Sequence, residues 1–106
     1  MPTLTPGLLV AAYQAGAFPM ADRDGRIGWY APDPRAVLPL DAVHVPKTLA
    51  KTVRQGRFEV TVDRAFEAVV RACAAPAPGR EETWISDEIV EAYVELHRRG
   101  AAHSVE

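Results

Sequence analysis

Residues Thr83 to Glu106 read TWISDEIVEAYVELHRRGAAHSVE. Ser86 is an N-cap residue type, and Asp87 and Glu88 place acids in the first turn, where the helix dipole is positive. His97, Arg98 and Arg99 close the last turn, and Gly100 is a natural residue just past a helix end. Ile89, Tyr93 and Leu96 recur at i, i+4 and i+7, with Val90 and Ala92 widening the apolar stripe. The stretch therefore predicts an amphipathic helix with Trp84 and Ile85 at its entrance, where a hydrophobic staple also places an apolar group. Beyond Gly100, His103-Ser104-Val105-Glu106 starts a strand. On periodicity alone Trp84 and Tyr93 are core residues of this helix.

Working outward, the chain alternates helices with short strands. Thr5 caps a first helix with Pro6 at its first position and Gly16 at its end; Leu8, Leu9, Ala12 and Tyr13 form its apolar side. Phe18-Pro19-Met20 leads into a turn through Asp22-Arg23-Asp24-Gly25, and Ile27 to Tyr30 reads as a strand. Ala36 to Leu40 reads as a second short strand, at an edge because Pro39 cannot donate to a ladder. Pro46 opens a second helix that ends before Gly56. Phe58, Val60 and Val62 alternate with Glu59 and Thr61, the pattern of a half-buried strand. Asp63 is placed to cap a third helix, in which Phe66, Val69, Val70 and Cys73 fall at helical spacing and turn Cys73 to the core. The Ala74–Gly79 segment is a loop. This order is α+β, without the repeated βαβ rhythm of a parallel sheet.

Composition excludes several classes. The 106 residues suit one small domain or part of a larger one. A hydrophobic content of 48% with 25% charged residues is that of a globular protein. The net charge of −2 gives no global attraction to nucleic acid, so an anionic partner has to meet a local patch. One cysteine forbids an internal disulfide. No apolar run approaches the roughly 20 residues of a membrane span, and the N-terminus lacks the basic region of a signal peptide.

The second helix carries the clearest asymmetry. Lys47, Lys51 and Arg54 lie at i, i+4 and i+7, within roughly 60° of one another at about 100° per residue. Leu49 and Val53 lie on the opposite side, so one face can dock on the core while three cations point outward. Such a stripe suits either phosphates or plain solvent. Gly25-Arg26-Ile27-Gly28 lacks the glycine spacing of a phosphate loop. His44, His97 and His103 are scattered and have no metal-ligand spacing. Asp22 with Asp24 and Glu81 with Glu82 are turn and loop carboxylates rather than an acid–base pair.

A collinear set of short motifs goes further. They are Leu8-Leu9-Val10-Ala11-Ala12-Tyr13 with Gly16 and Phe18-Pro19-Met20; Trp29-Tyr30-Ala31-Pro32-Asp33-Pro34-Arg35; and Val37-Leu38-Pro39-Leu40. His44-Val45-Pro46-Lys47 and Phe58-Glu59-Val60-Thr61-Val62-Asp63 with Ala65-Phe66 follow. The set closes with Cys73-Ala74, Thr83-Trp84-Ile85, Ala92-Tyr93, Leu96-His97, Gly100 and Ala102-His103-Ser104-Val105-Glu106. In order and spacing, over essentially the whole chain, these residues resemble the bacterial leucyl/phenylalanyl-tRNA–protein transferase family.

The resemblance implies a cytoplasmic enzyme without metal or cofactor and without a membrane partner. Such an enzyme moves leucine or phenylalanine from aminoacyl-tRNA to a protein that begins with arginine or lysine, marking it for degradation as an N-degron. It implies a small N-terminal domain over residues 1–35 and the opening part of an acetyltransferase-like domain over 36–106. Trp84, Tyr93 and Met20 match positions at the aminoacyl-adenosine pocket; Lys47, Lys51 and Arg54 match a helix facing the tRNA backbone. Family members continue past the position of Glu106, so the expectation is a fragment lacking the catalytic part, with no catalytic residue assignable here. The alternatives are a noncatalytic RNA-binding module and a nonfunctional truncated product.

Overall fold

The computed structural model describes residues 4–106. Its elements are α1 (Pro6–Gln14), β1 (Phe18–Ala21), β2 (Ile27–Tyr30), α2 (Lys47–Arg54), α3 (Phe66–Ala74) and α4 (Asp87–Arg98). A single 3-10 turn, Leu40–Ala42, lies before α2. The class is α+β, as the sequence predicts.

Local chemistry explains the ends of α1 and α4. Thr5 has extended backbone and its hydroxyl accepts from the Leu8 N–H at 3.1 Å, with Pro6 at the first helical position. Ser86 does the same for the Ile89 N–H at 3.3 Å. Gly16 and Gly100 follow the two helices at φ +84° and +81°, the left-handed backbone that glycine adopts without cost.

The core is organised around α4. Taking Ile89 as reference and about 100° per residue, Ala92 and Leu96 lie within roughly 60° on one side, while Val90 and Val94 lie roughly 100–140° away on the other. Ile89, Ala92 and Leu96 pack with Leu4 and Leu9. Val90 and Val94 pack with Phe66 of α3. Helix α4 is thus sandwiched between α1 and α3, and Tyr93, midway between its two buried faces, touches both clusters. Each fully buried aliphatic side chain contributes about 1.5–3 kcal/mol, so packing outweighs the caps in holding α4.

β1 and β2 pair antiparallel in the register Phe18↔Tyr30 through Ala21↔Ile27. The Asp22 carboxylate closes the hairpin by accepting from the Asp24 and Arg26 N–H groups, each at 2.9 Å. Strand β1 is absent from the sequence reading because Pro19 marks the segment as a breaker. A two-stranded ribbon consists only of edges, and there a proline is tolerated.

Between β2 and α3 the structure departs from expectation. Residues 36–40 form no strand; Val37 and Leu38 are exposed and have no neighbouring strand, and Leu40 enters the 3-10 turn. The predicted strand over Phe58–Val62 reduces to one antiparallel bridge, Val62↔Val105. Its apolar side chains are uncovered, because the alternation there specifies a face without supplying the layer that buries it. Leu49 and Val53 of α2 do not dock on the core: they are 49% and 70% exposed, and α2 packs against no other element.

Asp63 does not cap α3. The N-cap is Ala65, with no side-chain bond, and Asp63 sits at φ +60° with its carboxylate turned to residues 103 and 104. Cys73 is exposed rather than core. The α3 stripe is buried where Phe66 meets Val90 and Val94, and at its other end it opens over a cavity.

Candidate functional site

Trp84 is placed by β1. The Ala21 N–H, on the strand's outer edge, donates to the Trp84 carbonyl at 2.9 Å. Arg23 pairs with Glu82 at 3.0 Å beside it, an exposed bridge that fixes the loop weakly. Thr83 accepts from the Ile85 N–H at 3.1 Å, and Ser86 then starts α4. The indole ends up half-exposed, at 47%.

Beneath it lies a cavity of about 280 Å³ walled by Trp84, Ile85, Ile89 and Tyr93, with Tyr13 from α1 and Val69, Val70 and Cys73 from α3. The volume is below the roughly 300–1,000 Å³ of pockets that enclose a drug-sized ligand. It has room for one ring system or one side chain, with the remainder of a larger ligand lying outside. Trp84 also borders an opening of about 620 Å³ with Ala21, Asp22 and Arg23.

The Tyr13 and Tyr93 hydroxyls are 2.6 Å apart. Burial, and then the Tyr13 hydrogen bond, pushes the Tyr93 phenol well above its ordinary value, so the Tyr93 ring stays protonated near neutrality. One O–H is used in the mutual bond, which leaves the second as a donor at the cavity wall. Both tyrosines also border a second cavity of about 700 Å³, with Val10, Phe66, Leu96 and His103. The tyrosine pair is a polar feature shared by the two spaces.

A separate polar group ties residues 61–64 to residues 102–106. The Asp63 carboxylate meets His103 Nδ1 at 2.7 Å and accepts from the Ser104 N–H at 2.9 Å. The His103 contact, then the Ser104 N–H, holds the Asp63 carboxyl below its ordinary value, and the same contact raises the His103 imidazole. Glu106 accepts from the Ser104 and Thr61 hydroxyls, both at 2.7 Å, and from the Arg64 N–H at 2.9 Å, which lowers its carboxyl in turn. His97 stacks on Phe66 with ring centroids 4.3 Å apart and hydrogen-bonds the Ala102 carbonyl at 2.8 Å. Two of the three histidines, His97 and His103, meet here, while His44 does not join them; among the described residues no group has the geometry of a metal centre.

Of the residues singled out from sequence, Trp84 and Tyr93 are brought to one cavity. Met20 is half-buried on β1, directly before the Ala21 that holds Trp84, and lines none of these cavities. Lys47, Lys51 and Arg54 are exposed on α2, away from any packed element and in no ion pair among the described residues. Tyr13 was missed: helical spacing assigns it to the apolar side of α1, and only its hydroxyl, the one polar tip on that side, marks it as different.

Fold and cavity define a small α+β protein with an aromatic-walled pocket at a helix entrance. The family described as leucyl/phenylalanyl-tRNA protein transferase matches residues 37–106, and that family's N-terminal domain matches residues 3–33. The leucyl/phenylalanyl-tRNA–protein transferase of Rubrobacter xylanophilus is 61% identical over 103 residues, covering 97% of this chain and 52% of its own. Those of Gluconobacter oxydans and Salinibacter ruber are 54% and 56% identical, covering 100% and 97% of this chain and 48% and 44% of their own. The chain belongs to the leucyl/phenylalanyl-tRNA protein transferase family, and it spans about half the length of these curated relatives.

Proposed function

We propose that this chain carries part of the aminoacyl-tRNA binding surface of a transferase. The reaction moves leucine or phenylalanine from aminoacyl-tRNA to the α-amino group of a protein beginning with arginine or lysine, as an N-degron mark in the cytoplasm. Residues 1–35 form its small N-terminal domain, and residues 36–106 open an acetyltransferase-like domain.

The observation that carries this reading is the convergence of Trp84, Tyr93 and Tyr13 on one cavity. A half-exposed indole offers an adenine a face on which stacking is worth about 1–3 kcal/mol. The free O–H of the tyrosine pair supplies a donor for a ribose or ester oxygen. The cavity takes one ring or side chain of the aminoacyl-adenosine, and the rest of the ligand continues across the opening toward β1 and Met20. Lys47, Lys51 and Arg54 meet the tRNA backbone, each phosphate contact adding salt-sensitive affinity. No helix among the described residues is long and apolar enough to cross a membrane, which suits a tRNA-dependent reaction in solution.

The chemistry joins the amine to the ester carbon and releases the tRNA 3′ hydroxyl. No residue of this chain is assigned to that step, and the 106-residue chain alone is expected to transfer no labelled leucine to an arginine-started peptide. The binding assignment is tested by titrating an aminoacyl-adenosine analogue against the chain and against Trp84→Ala. The expected loss is about 5- to 150-fold in affinity, the range of one stacked base. Equal affinity of the two proteins sinks the assignment.

A further inference from the structure

Packing on both sides of α4 holds Tyr93, but Trp84 sits outside any helix or strand, in the loop between α3 and α4. Something other than the core has to fix the direction of its indole. Early in the loop, Ala77 and Arg80 exchange two backbone hydrogen bonds, at 2.8 and 3.1 Å, and the Arg80 guanidinium donates to the Cys73 carbonyl at 3.1 Å. These bonds fold the first half of the loop and stop short of Trp84.

Among the described residues, two polar links tie the second half of the loop to the hairpin. The Ala21 N–H donates to the Trp84 carbonyl at 2.9 Å, and Arg23 pairs with Glu82 at 3.0 Å. The ion pair is exposed on both sides and holds weakly, so the backbone bond is the stronger anchor. The two links leave the hairpin on either side of Asp22. One oxygen of its carboxylate, Oδ1, accepts from both the Asp24 and the Arg26 N–H, each at 2.9 Å. Its own N–H donates to the Arg26 carbonyl at 2.9 Å, and its carbonyl accepts from the Gly25 N–H at 3.0 Å. A single residue thus closes the turn through side chain and main chain alike. Without the carboxylate two N–H donors lose their partner, and residues 21 and 23 are no longer held in step.

We propose that Asp22 is a positioning residue for Trp84. Its Oδ1 fixes the turn over residues 22–26, the turn fixes the Ala21 N–H, and that bond sets where the indole stands over the cavity. Asp22 acts through Trp84 rather than on a ligand, and the role needs an accepting oxygen rather than a charge. The consequence for ligand binding rests on the assignment of Trp84 to an aminoacyl-adenosine; the consequence for the indole does not.

Asp22→Ala, Asp22→Asn and Trp84→Ala are compared in the 106-residue chain. The first readout is the indole N–H resonance of Trp84 without ligand, identified by its loss in Trp84→Ala. It is expected to shift in Asp22→Ala and to keep the parent position in Asp22→Asn, which retains the accepting oxygen. The second readout is affinity for the aminoacyl-adenosine analogue. Asp22→Ala is expected to weaken it about 3- to 10-fold, part of what loss of the whole stack costs, and Asp22→Asn to restore it. In a Trp84→Ala background, Asp22→Ala is expected to add less than about twofold, the mark of two residues acting as one unit. Residue 22 lies outside both core clusters, so each variant is expected to unfold in urea as cooperatively as the parent. An unmoved indole resonance in Asp22→Ala overturns the proposal, as does an Asn variant that behaves like the Ala variant, or a loss of affinity undiminished in the Trp84→Ala background. A shifted resonance together with equal affinity of parent and Trp84→Ala sinks the pocket assignment instead and leaves the positioning role standing.

Discussion

Two regions of this molecule carry similar sequence signals and meet different fates. Helix α4 and helix α2 are both amphipathic on paper, each with an apolar stripe opposite charged residues. The α4 stripe finds Leu4, Leu9 and Phe66, and five of its residues are buried. The α2 stripe finds nothing, and none of its residues is buried. A stripe specifies which side must be covered; whether anything covers it depends on chain brought in from elsewhere. The body built from α1, the hairpin, α3 and α4 closes on itself, whereas the large apolar side chains between residues 37 and 62 stay exposed.

The comparison breaks most directly by truncating a side chain in each region. Leu9 has no exposed surface. Leu9→Ala removes its contacts with α4 and is expected to cost about 2–5 kcal/mol in urea unfolding, the range for buried leucines. Val53→Ala, at a residue 70% exposed, is expected to change stability by less than about 0.5 kcal/mol. Comparable losses at the two positions would show that α2 is docked after all.

How much the sequence discloses follows the same division. The caps at Thr5 and Ser86, the glycines after α1 and α4 and the α4 stripe are local signals, and each is met in the structure. The strands proposed at 36–40 and 58–62 depend on partners that no local pattern supplies, and there the reading overreaches. Cys73 fails for a related reason: its spacing is right, but the stripe runs past the end of the layer that buries it. In the pocket, Trp84 and Tyr93 are legible through resemblance. Tyr13 is not, because its pairing with Tyr93 joins residues 80 positions apart.

A smaller effect sharpens the contrast at helix ends. Ser86 caps a helix that the core holds, so Ser86→Ala is expected to cost about 1 kcal/mol. It should also quicken exchange of the Ile89 amide. Helix α2 has Pro46 at its N-cap position and no side-chain cap, so its amides are expected to exchange fastest among the helices. Slow exchange in α2 of the lone chain would contradict the view that it is uncovered.

The smallest expected effect lies at the seam between the regions, where Asp63 and His103 join the segment ahead of α3 to the residues after α4. Asp63 ordinarily titrates at 3.8 and is lowered here, so its contribution is present above that pH and fades as pH falls through the lowered folded value. His103 ordinarily titrates at 6.5 and is raised, so its contribution is full below 6.5 and fades as pH rises through the folded value. Both contributions are whole only between about pH 4 and 6.5, so stability is expected to fall gently on either side. Asn tolerates the φ of +60° at position 63 and keeps an oxygen for the Ser104 N–H. Asp63→Asn is therefore expected to leave the fold intact while flattening the alkaline decline, since His103 loses the anion that raises it. Urea midpoints measured across this range decide the matter: an alkaline slope that survives in Asp63→Asn would assign the pH dependence to other groups and leave the seam held by the Ser104 and Glu106 hydrogen bonds alone.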